Sequence, residues 1–326
     1  MNSGKQNGSL RKVRVLINPK SGLGVSFDVF WAVVEKHWSG EGVDVSYQFS
    51  HDIADGQSKA LRAVEDGTDT ILIAGGDGMV NSIGSVLTGT GTALGVIPTG
   101  SGNGFARHFG IPLDIPGAVK ALAGANRCQI DVGTANGRPF FVTCSMAWDA
   151  AIVRSFETFP VRGILPYVFA GAAELIGYVA QPFEVSLDDG ETLTFPDPII
   201  FTAANLTQYG GGARIAPQAL PDDGYMEMVV ALRQDMPLLL ANVGRLFNGT
   251  IDQIPQMLTR RFKRMDVRRK LAAPIQMDGE LVEAGPNVEI RLLPKALTVL
   301  VPDATTTGNK PARDTWFTRG LGLTPS

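Results

Sequence analysis

Thr70-Ile71-Leu72-Ile73-Ala74-Gly75-Gly76-Asp77-Gly78 is the stretch that decides how this chain folds. An apolar β run that is not broken by polar alternation reads as a strand buried on both faces, the kind found in parallel sheets covered by helices. It runs straight into a glycine turn, and Met79 to Leu87 behind the turn reads as a helix. Upstream, Val13 to Asn18 is another apolar run closed by Asn-Pro, Ser26 to Trp38 has helical spacing, Val43 to Phe49 alternates as a strand does, and Ser58 to Val64 is helical. Downstream, Ala93 to Ile97 is a third buried run and leads into Pro98-Thr99-Gly100-Ser101-Gly102-Asn103-Gly104. Strands alternating with helices imply a parallel sheet with helices on both faces, and nucleotides bind such sheets at the carboxyl ends of the strands. Three loops rich in small residues follow strands, so all three can line one crevice.

After Gln129 the texture changes. Short β-like runs follow one another at 129–134, 139–145, 183–187, 199–205, 225–231, 288–293 and 297–301, with Gly, Asp and Pro between them. This predicts a mostly antiparallel β domain, interrupted by a helix from Ile164 and another near Met236 to Leu246. The expected organisation is a disordered N-terminus over 1–12, an α/β nucleotide-binding domain over 13–128 and a β-sandwich over 129–303. A tail over 304–326 is either disordered or packed back on the first domain.

Composition narrows the function. With 326 residues the chain is long enough for two domains, and 44% hydrophobic with 19% charged residues is within reach of a soluble globular protein. A net charge of -3 argues against non-specific nucleic-acid binding. Cys128 and Cys144 are too few for a disulfide framework, which makes a reducing cytoplasm the expectation. The first residues are polar, without the apolar stretch of a secretory signal. The segment Ile164 to Ala180 is strongly apolar but short, carries Glu174 and has Pro166 near its start, so it reads as a core helix or the flank of a greasy pocket rather than a membrane span.

The loops carry the chemistry. Asn18-Pro19-Lys20-Ser21-Gly22 exposes backbone N–H groups that can cradle phosphate, though an ordinary turn has the same composition. Glycines in Gly75-Gly76-Asp77-Gly78 let a ligand approach the backbone, and the helix behind presents free N–H groups to an anion. An acid there repels phosphate unless Asp77 holds Mg²⁺ or takes a proton from an acceptor hydroxyl; the plain alternative is an Asp that caps a helix. No Gly-Lys-Ser/Thr follows, so this is not a Walker loop. Pro98 to Arg107 is a second phosphate-loop candidate, with Arg107 either in the site or capping a helix. Asp222-Asp223-Gly224 and Asp278-Gly279-Glu280 pass as hairpin turns but could also place carboxylates at one site.

Together and in this order, Asn18-Pro-x-Ser-Gly, Gly75-Gly-Asp-Gly, Pro98-x-Gly-Ser-Gly-Asn, Asp149-Ala150, Gly210-Gly-Gly through Asp222-Asp223-Gly224, and Asp278-Gly279-Glu280 resemble the diacylglycerol kinase catalytic-domain superfamily. That group includes YegS-like lipid kinases and sphingosine and ceramide kinases, and the resemblance runs from Val13 to Pro302. It implies a fold like that of NAD and 6-phosphofructokinases: an α/β nucleotide domain, then a β-sandwich lipid domain, with ATP in the cleft between. It implies ATP contacts at Asn18, at Gly75, Gly76, Asp77, Gly78, Met79, Val80 and Asn81, and at Gly100 and Ser101, with a looser match at Ser50. It implies a catalytic base at Glu280 or Asp77 and Mg²⁺ on the Leu220 carbonyl, the Asp223 carboxylate and the Tyr225 carbonyl. Asp149 falls near the substrate pocket.

The expected activity is transfer of the ATP γ-phosphoryl to a hydroxyl of a diacylglycerol or long-chain base. The substrate would be reached by a cytoplasmic enzyme at the membrane surface, without a membrane span and without nucleic acid; a homodimer is left open. This chain departs from bacterial diacylglycerol kinases in having Met79 for Thr, Ser82 for Glu, Gly104 for a second acid and Ala147-Trp148 before Asp149. A soluble-substrate kinase of NAD-kinase type and an inactive kinase-like ATP-binding protein remain as alternatives. A dinucleotide-dependent oxidoreductase is disfavoured, because no Gly-x-Gly-x-x-Gly opens the first strand–helix unit.

Overall fold

A computed structural model describes residues 10–19, 24–150, 178–188 and 190–303. Residues 1–9, 20–23, 151–177 (with most of the helix expected from Ile164, including Leu175 and Ile176), 189 and the tail from 304 lie outside the described residues. The chain divides into two compact units, residues 10–129 with 297–303, and residues 130–296.

The first unit is built from β1 (Arg11–Ile17), α1 (Phe27–Trp38), β2 (Val43–Phe49), α2 (Ile53–Glu65), β3 (Thr70–Gly75), α3 (Asp77–Leu87), β4 (Ala93–Pro98), α4 (Gly104–His108) and α5 (Ile115–Ala123). Arg11 and Lys12 belong to β1 rather than to a disordered lead-in. The strands run parallel in the order β2-β1-β3-β4. Every residue of β3 and β4 is buried, as expected for central strands sandwiched by helices. The helices α2 and α5 start on Asp caps: Asp52 accepts from the Asp55 N–H and Asp114 from the Gly117 N–H, both at 2.8 Å.

The chain crosses to the second unit within β5 (Asn126–Ala135), followed by β6 (Arg138–Phe140), β7 (Thr143–Ser145), β8 (Phe183–Leu187), β9 (Glu191–Phe195), β10 (Pro198–Ala204), β11 (Gln208–Gly210), β12 (Ala213–Arg214) and β13 (Met226–Leu232). Short helices Met236–Ala241 and Gly244–Asn248 stand where one helix was expected. Then come β14 (Leu258–Phe262), β15 (Arg264–Arg269), β16 (Ile275–Met277), β17 (Glu280–Val282) and β18 (Asn287–Val301). One antiparallel sheet has the order β14-β13-β10-β7-β16-β17, and β9-β8-β15 with residues 287–291 of β18 pair antiparallel in the other. The inward faces meet in a core that includes Phe140, Phe183, Phe201, Phe262, Met228 and Met265, each large ring contributing about 1.5–3 kcal/mol by burial. A smaller core of Val229, Ala231, Ile251, Ile254 and Met257 covers the opposite face of β13. β18 serves both units: after Lys295, which bends the strand at φ +49°, Val299 pairs parallel with Leu94 of β4.

Candidate active site

In the first unit, β1, β3 and β4 end level. Ile17 lies beside Ala74 and Gly75 beside Pro98, and the Asn18 N–H donates to the Ala74 carbonyl at 3.3 Å. The loops behind these strands therefore leave from the carboxyl edge, where α/β sheets bind ligands. Two of them cross backbone on backbone. A Cβ on Gly100 would stand 2.7 Å from the Cα of Gly76, and one on Gly76 would stand 3.1 Å from the Cα of Gly100. No side chain fits at either position. The Thr99 N–H donates to the Gly75 carbonyl at 3.1 Å, and Asn103, in the left-handed region at φ +51°, closes its own loop: Oδ1 accepts from the Gly100 N–H at 3.1 Å and Nδ2 donates to the Gly100 carbonyl at 2.7 Å.

Asp77 fastens the same junction. Its Oδ2 accepts from the Gly104 N–H at 2.9 Å and its Oδ1 from the Phe105 N–H at 3.0 Å, so it caps α4 from across the crossing rather than capping its own helix. Burial pushes its carboxyl pKa up, while these two N–H groups and the Arg107 charge pull it back. The Arg107 Nε–H donates to the Gly102 carbonyl at 3.1 Å. α3 starts at Gly76 with no side-chain cap, unlike α2 and α5, and Asp77 is the acid in its first turn, facing the positive end of the helix dipole.

Of the other expected nucleotide contacts, Gly78 lies in the first turn of α3, and Asn81 stands one turn on, its carbonyl accepting from the Ser85 hydroxyl at 2.7 Å. Ser101 is exposed on the second loop. Val80 is in the core, so it offers its backbone alone. Met79 folds over its own loop: a Cβ on Gly75 would meet the Met79 Sδ at 2.6 Å. Ser50 is buried, with its hydroxyl on the Ile17 carbonyl at 3.3 Å.

In the second unit, Asp278 and Glu280 share a hairpin but do different things. Asp278 is buried at φ +51°, and its carboxylate accepts N–H bonds from Phe141 at 2.8 Å, Val142 at 2.7 Å and Thr143 at 3.2 Å. It holds the turn between β6 and β7. Glu280, opposite Met277, is exposed. Asp149 is saturated. Its Oδ1 accepts from Ala147 and Ala150 N–H at 3.0 and 3.1 Å, and its Oδ2 from the Phe201 N–H at 3.2 Å, the Thr202 hydroxyl at 2.6 Å and the Tyr209 hydroxyl at 2.8 Å. Burial still outweighs these bonds and pushes its pKa up, and the same burial pushes up the Tyr209 hydroxyl. Cys144 is buried beside Asp278 and Asp149, and burial with those two charges drives its thiol pKa up.

The turn expected to hold Mg²⁺ is anchored by Asp131, a fully buried acid in β5 whose Oδ2 accepts from the Gly224 N–H at 2.7 Å and whose Oδ1 accepts from the Lys295 N–H at 2.8 Å. Asn205 joins this frame to the Asp278 turn by donating to the carbonyls of Asp131 and Phe141 at 2.9 and 3.0 Å. The donors on the turn, the Leu220 and Tyr225 carbonyls and the Asp223 carboxylate, are all hard oxygens of the kind Mg²⁺ takes. Burial, together with the charges of Asp131 and Asp223, pushes the pKa of Asp222 up, so negative charge is concentrated here. One feature competes: Asp223 is ion-paired with Arg261, while its Oδ1 accepts from the Tyr225 N–H at 3.1 Å. No cluster of three or more His, Cys, Asp or Glu side chains suited to a metal exists among the described residues. The residues fit the ion provided that Arg261 gives way.

Sequence reasoning passed over two of these groups. Asp131 had a signal, an acid inside the apolar run from Gln129. Arg261 had none, because an arginine in an alternating strand looks like any solvated charge.

A parallel α/β unit with crossed glycine loops, followed by a β-sandwich, is the architecture of kinases with an NAD kinase-like fold. Residues 12–135 match the model of the diacylglycerol kinase catalytic domain, and residues 143–301 match that of the YegS C-terminal NAD kinase beta sandwich-like domain. The chain belongs to this diacylglycerol kinase and YegS-like family of lipid kinases. It is 31% identical to a diacylglycerol kinase of Mycobacterium tuberculosis over 89% of this chain and 95% of that protein. It is 28% identical to a Stenotrophomonas maltophilia protein named "probable lipid kinase YegS-like", over 76% of this chain and 84% of that protein. A crystal structure of a Bacillus anthracis diacylglycerol kinase superposes with a TM-score of 0.73 over 92% of this chain and all of that one, at 18% identity, and shares the fold.

Proposed function

We propose that this protein is an ATP-dependent kinase that phosphorylates a hydroxyl of a membrane lipid, of the diacylglycerol or long-chain-base class. The observation that carries the reading is the Gly76–Gly100 crossing at the carboxyl edge of the parallel sheet, where two glycine loops pack backbone on backbone beside the first turn of α3, the edge at which such sheets bind nucleotides. ATP, when bound, supplies the γ-phosphoryl group, and Mg²⁺ on the Leu220–Asp223–Tyr225 turn supports the protein. The backbone from Gly75 to Asn81, with Asn18, Gly100 and Ser101, holds the phosphates. Glu280 takes the proton of the acceptor hydroxyl: it is exposed, whereas both oxygens of Asp77 are spent on the α4 backbone. Asp149, with its hydrogen bonds filled, shapes the lipid-binding unit instead of touching the acceptor through a free oxygen. No helix among the described residues is long and apolar enough to cross a membrane, and we place the enzyme in the cytoplasm, meeting its substrate at the bilayer surface.

The test is incubation with radiolabelled ATP and mixed lipid vesicles, with NAD as a soluble acceptor in parallel. Label in a phosphorylated lipid is the expected result. Label in NAD would favour a soluble substrate, and ATP binding without any labelled product would mark an inactive relative.

A further inference from the structure

Along β13 and β14, and lined by none of the residues assigned above to nucleotide or base chemistry, the second unit contains an open cavity of ≈ 500 Å³. It is lined by Glu227, Asp252, Gln218 and the apolar Pro255, Met257 and Leu258, with Arg260 and Arg261 on the same strand edge. Glu227 sets its chemistry. Only 7% of this residue is exposed, yet among the described residues its carboxylate finds no hydrogen bond; the ion-pair contact it makes there is the Arg261 Nε at 3.7 Å, beyond hydrogen-bonding distance. Arg261 is shared rather than dedicated to Glu227: its guanidinium is ion-paired with Asp223 and lies 4.3 Å from the centre of the Tyr225 ring. Asp252 adds a second acid, with Oδ2 accepting from the Gln218 amide at 2.9 Å and a buried Oδ1 without a partner. Asp223 and Asp252 both add negative potential at Glu227, and Arg261 is the charge that offsets it.

A deeply set carboxylate that finds no donor from the protein is costly to keep charged, and water or a bound cation is what completes such a group. A second backbone or side-chain donor would have been the simple structural remedy. Instead the carboxylate opens on a space walled on one side by a methionine, a leucine and a proline. An ammonium group on an apolar stem satisfies both features: three N–H donors and a positive charge for Glu227, and hydrocarbon for the wall.

We propose that this cavity is a binding site for a primary ammonium group carried on an apolar stem, with Glu227 as its counter-ion. Such a group comes either from a free amine or from the amine headgroup of a membrane lipid.

Hexylamine, with hexanol as the neutral analogue, is titrated into the full-length protein and followed by NMR chemical-shift changes at the Met257 methyl. In a second arm, binding to vesicles of phosphatidylcholine is compared with binding to vesicles containing phosphatidylethanolamine. Hexylamine binding that hexanol does not reproduce, weakened about tenfold in Glu227→Gln, is the expected result. A preference for phosphatidylethanolamine that Glu227→Gln removes points to the lipid source, and its absence beside hexylamine binding points to a free amine. Equal hexylamine affinity in wild type and Glu227→Gln, or equal response to hexanol, overturns the proposal. Glu227→Asp, which keeps the charge, checks folding; if it and Glu227→Gln melt together while only Glu227→Gln loses binding, the loss is one of charge.

Discussion

Asp77 and Glu280 looked interchangeable as candidate bases, and their surroundings separate them. Asp77 is a structural clamp: removing its carboxylate leaves the Gly104 and Phe105 N–H groups without partners. Asp77→Ala should therefore lower stability by about 1–3 kcal/mol as well as weaken ATP binding. Glu280 is exposed on a hairpin, so Glu280→Ala should leave the melting temperature unchanged while turnover drops by about 10²–10⁴. Melting curves and single-substrate kinetics on both variants read this directly. If Glu280→Ala keeps full turnover, Glu280 is not the base. Asp149, expected near the substrate pocket, accepts five donors from its own unit, so it holds that region in shape whatever lies beside it.

At the scale of elements, the meeting of two loops matters more than either loop. Gly100 could pass as one of several flexible glycines, but a methyl group there would enter the Gly76 backbone. Gly100→Ala should open the crossing at a cost of about 1–3 kcal/mol and weaken ATP binding. Isothermal titration would show it, and unchanged affinity would mean that the crossing does not form the nucleotide site. The turn before β13 is a second junction. There Arg261 competes with a cation for Asp223, in a half-exposed pair that contributes about 0–1 kcal/mol by itself. Arg261→Ala should make the rise in melting temperature on adding Mg²⁺ larger than in wild type. An equal or smaller rise would show that the ion does not use Asp223.

Across the whole molecule, burial pushes up the carboxyl pKa of Asp77, Asp149, Asp222 and Glu227, from ordinary values of 3.8 for the aspartates and 4.5 for the glutamate. A carboxyl with a raised folded pKa holds its proton longer when folded than when unfolded. Its stabilising contribution is then complete below the unfolded pKa and is lost as pH rises through the folded one. Urea midpoints measured upward from below the ordinary carboxyl pKa should thus carry a downward component, and Asp149→Asn should remove part of it. A wild-type and variant difference that does not change with pH would show that the Asp149 pKa is not raised.

Much of this molecule was legible from residue order. The buried runs at Thr70 and Ala93 could only be central parallel strands, because an apolar run of that length has no solvent face, and the glycine turns behind them could only leave from the carboxyl edge. The short runs after Gln129 likewise required an antiparallel domain. Which strand serves which unit was not legible: Leu297 to Val301 reads as one more sandwich strand, yet it pairs with β4, because strand pairing is set by long-range hydrogen bonds that periodicity does not encode. Nor could spacing reveal that Asp131 anchors the Asp223 turn, that Arg261 occupies Asp223, or that Glu227 is buried without a hydrogen-bond partner among the described residues. The sequence by itself determined the two-part kinase architecture and the glycine loops at the carboxyl edge of its parallel sheet, since those depend on local propensity and hydrophobic pattern. Only the tertiary structure decided which acids are free to react, because a carboxylate's availability depends on donors brought to it from distant parts of the chain.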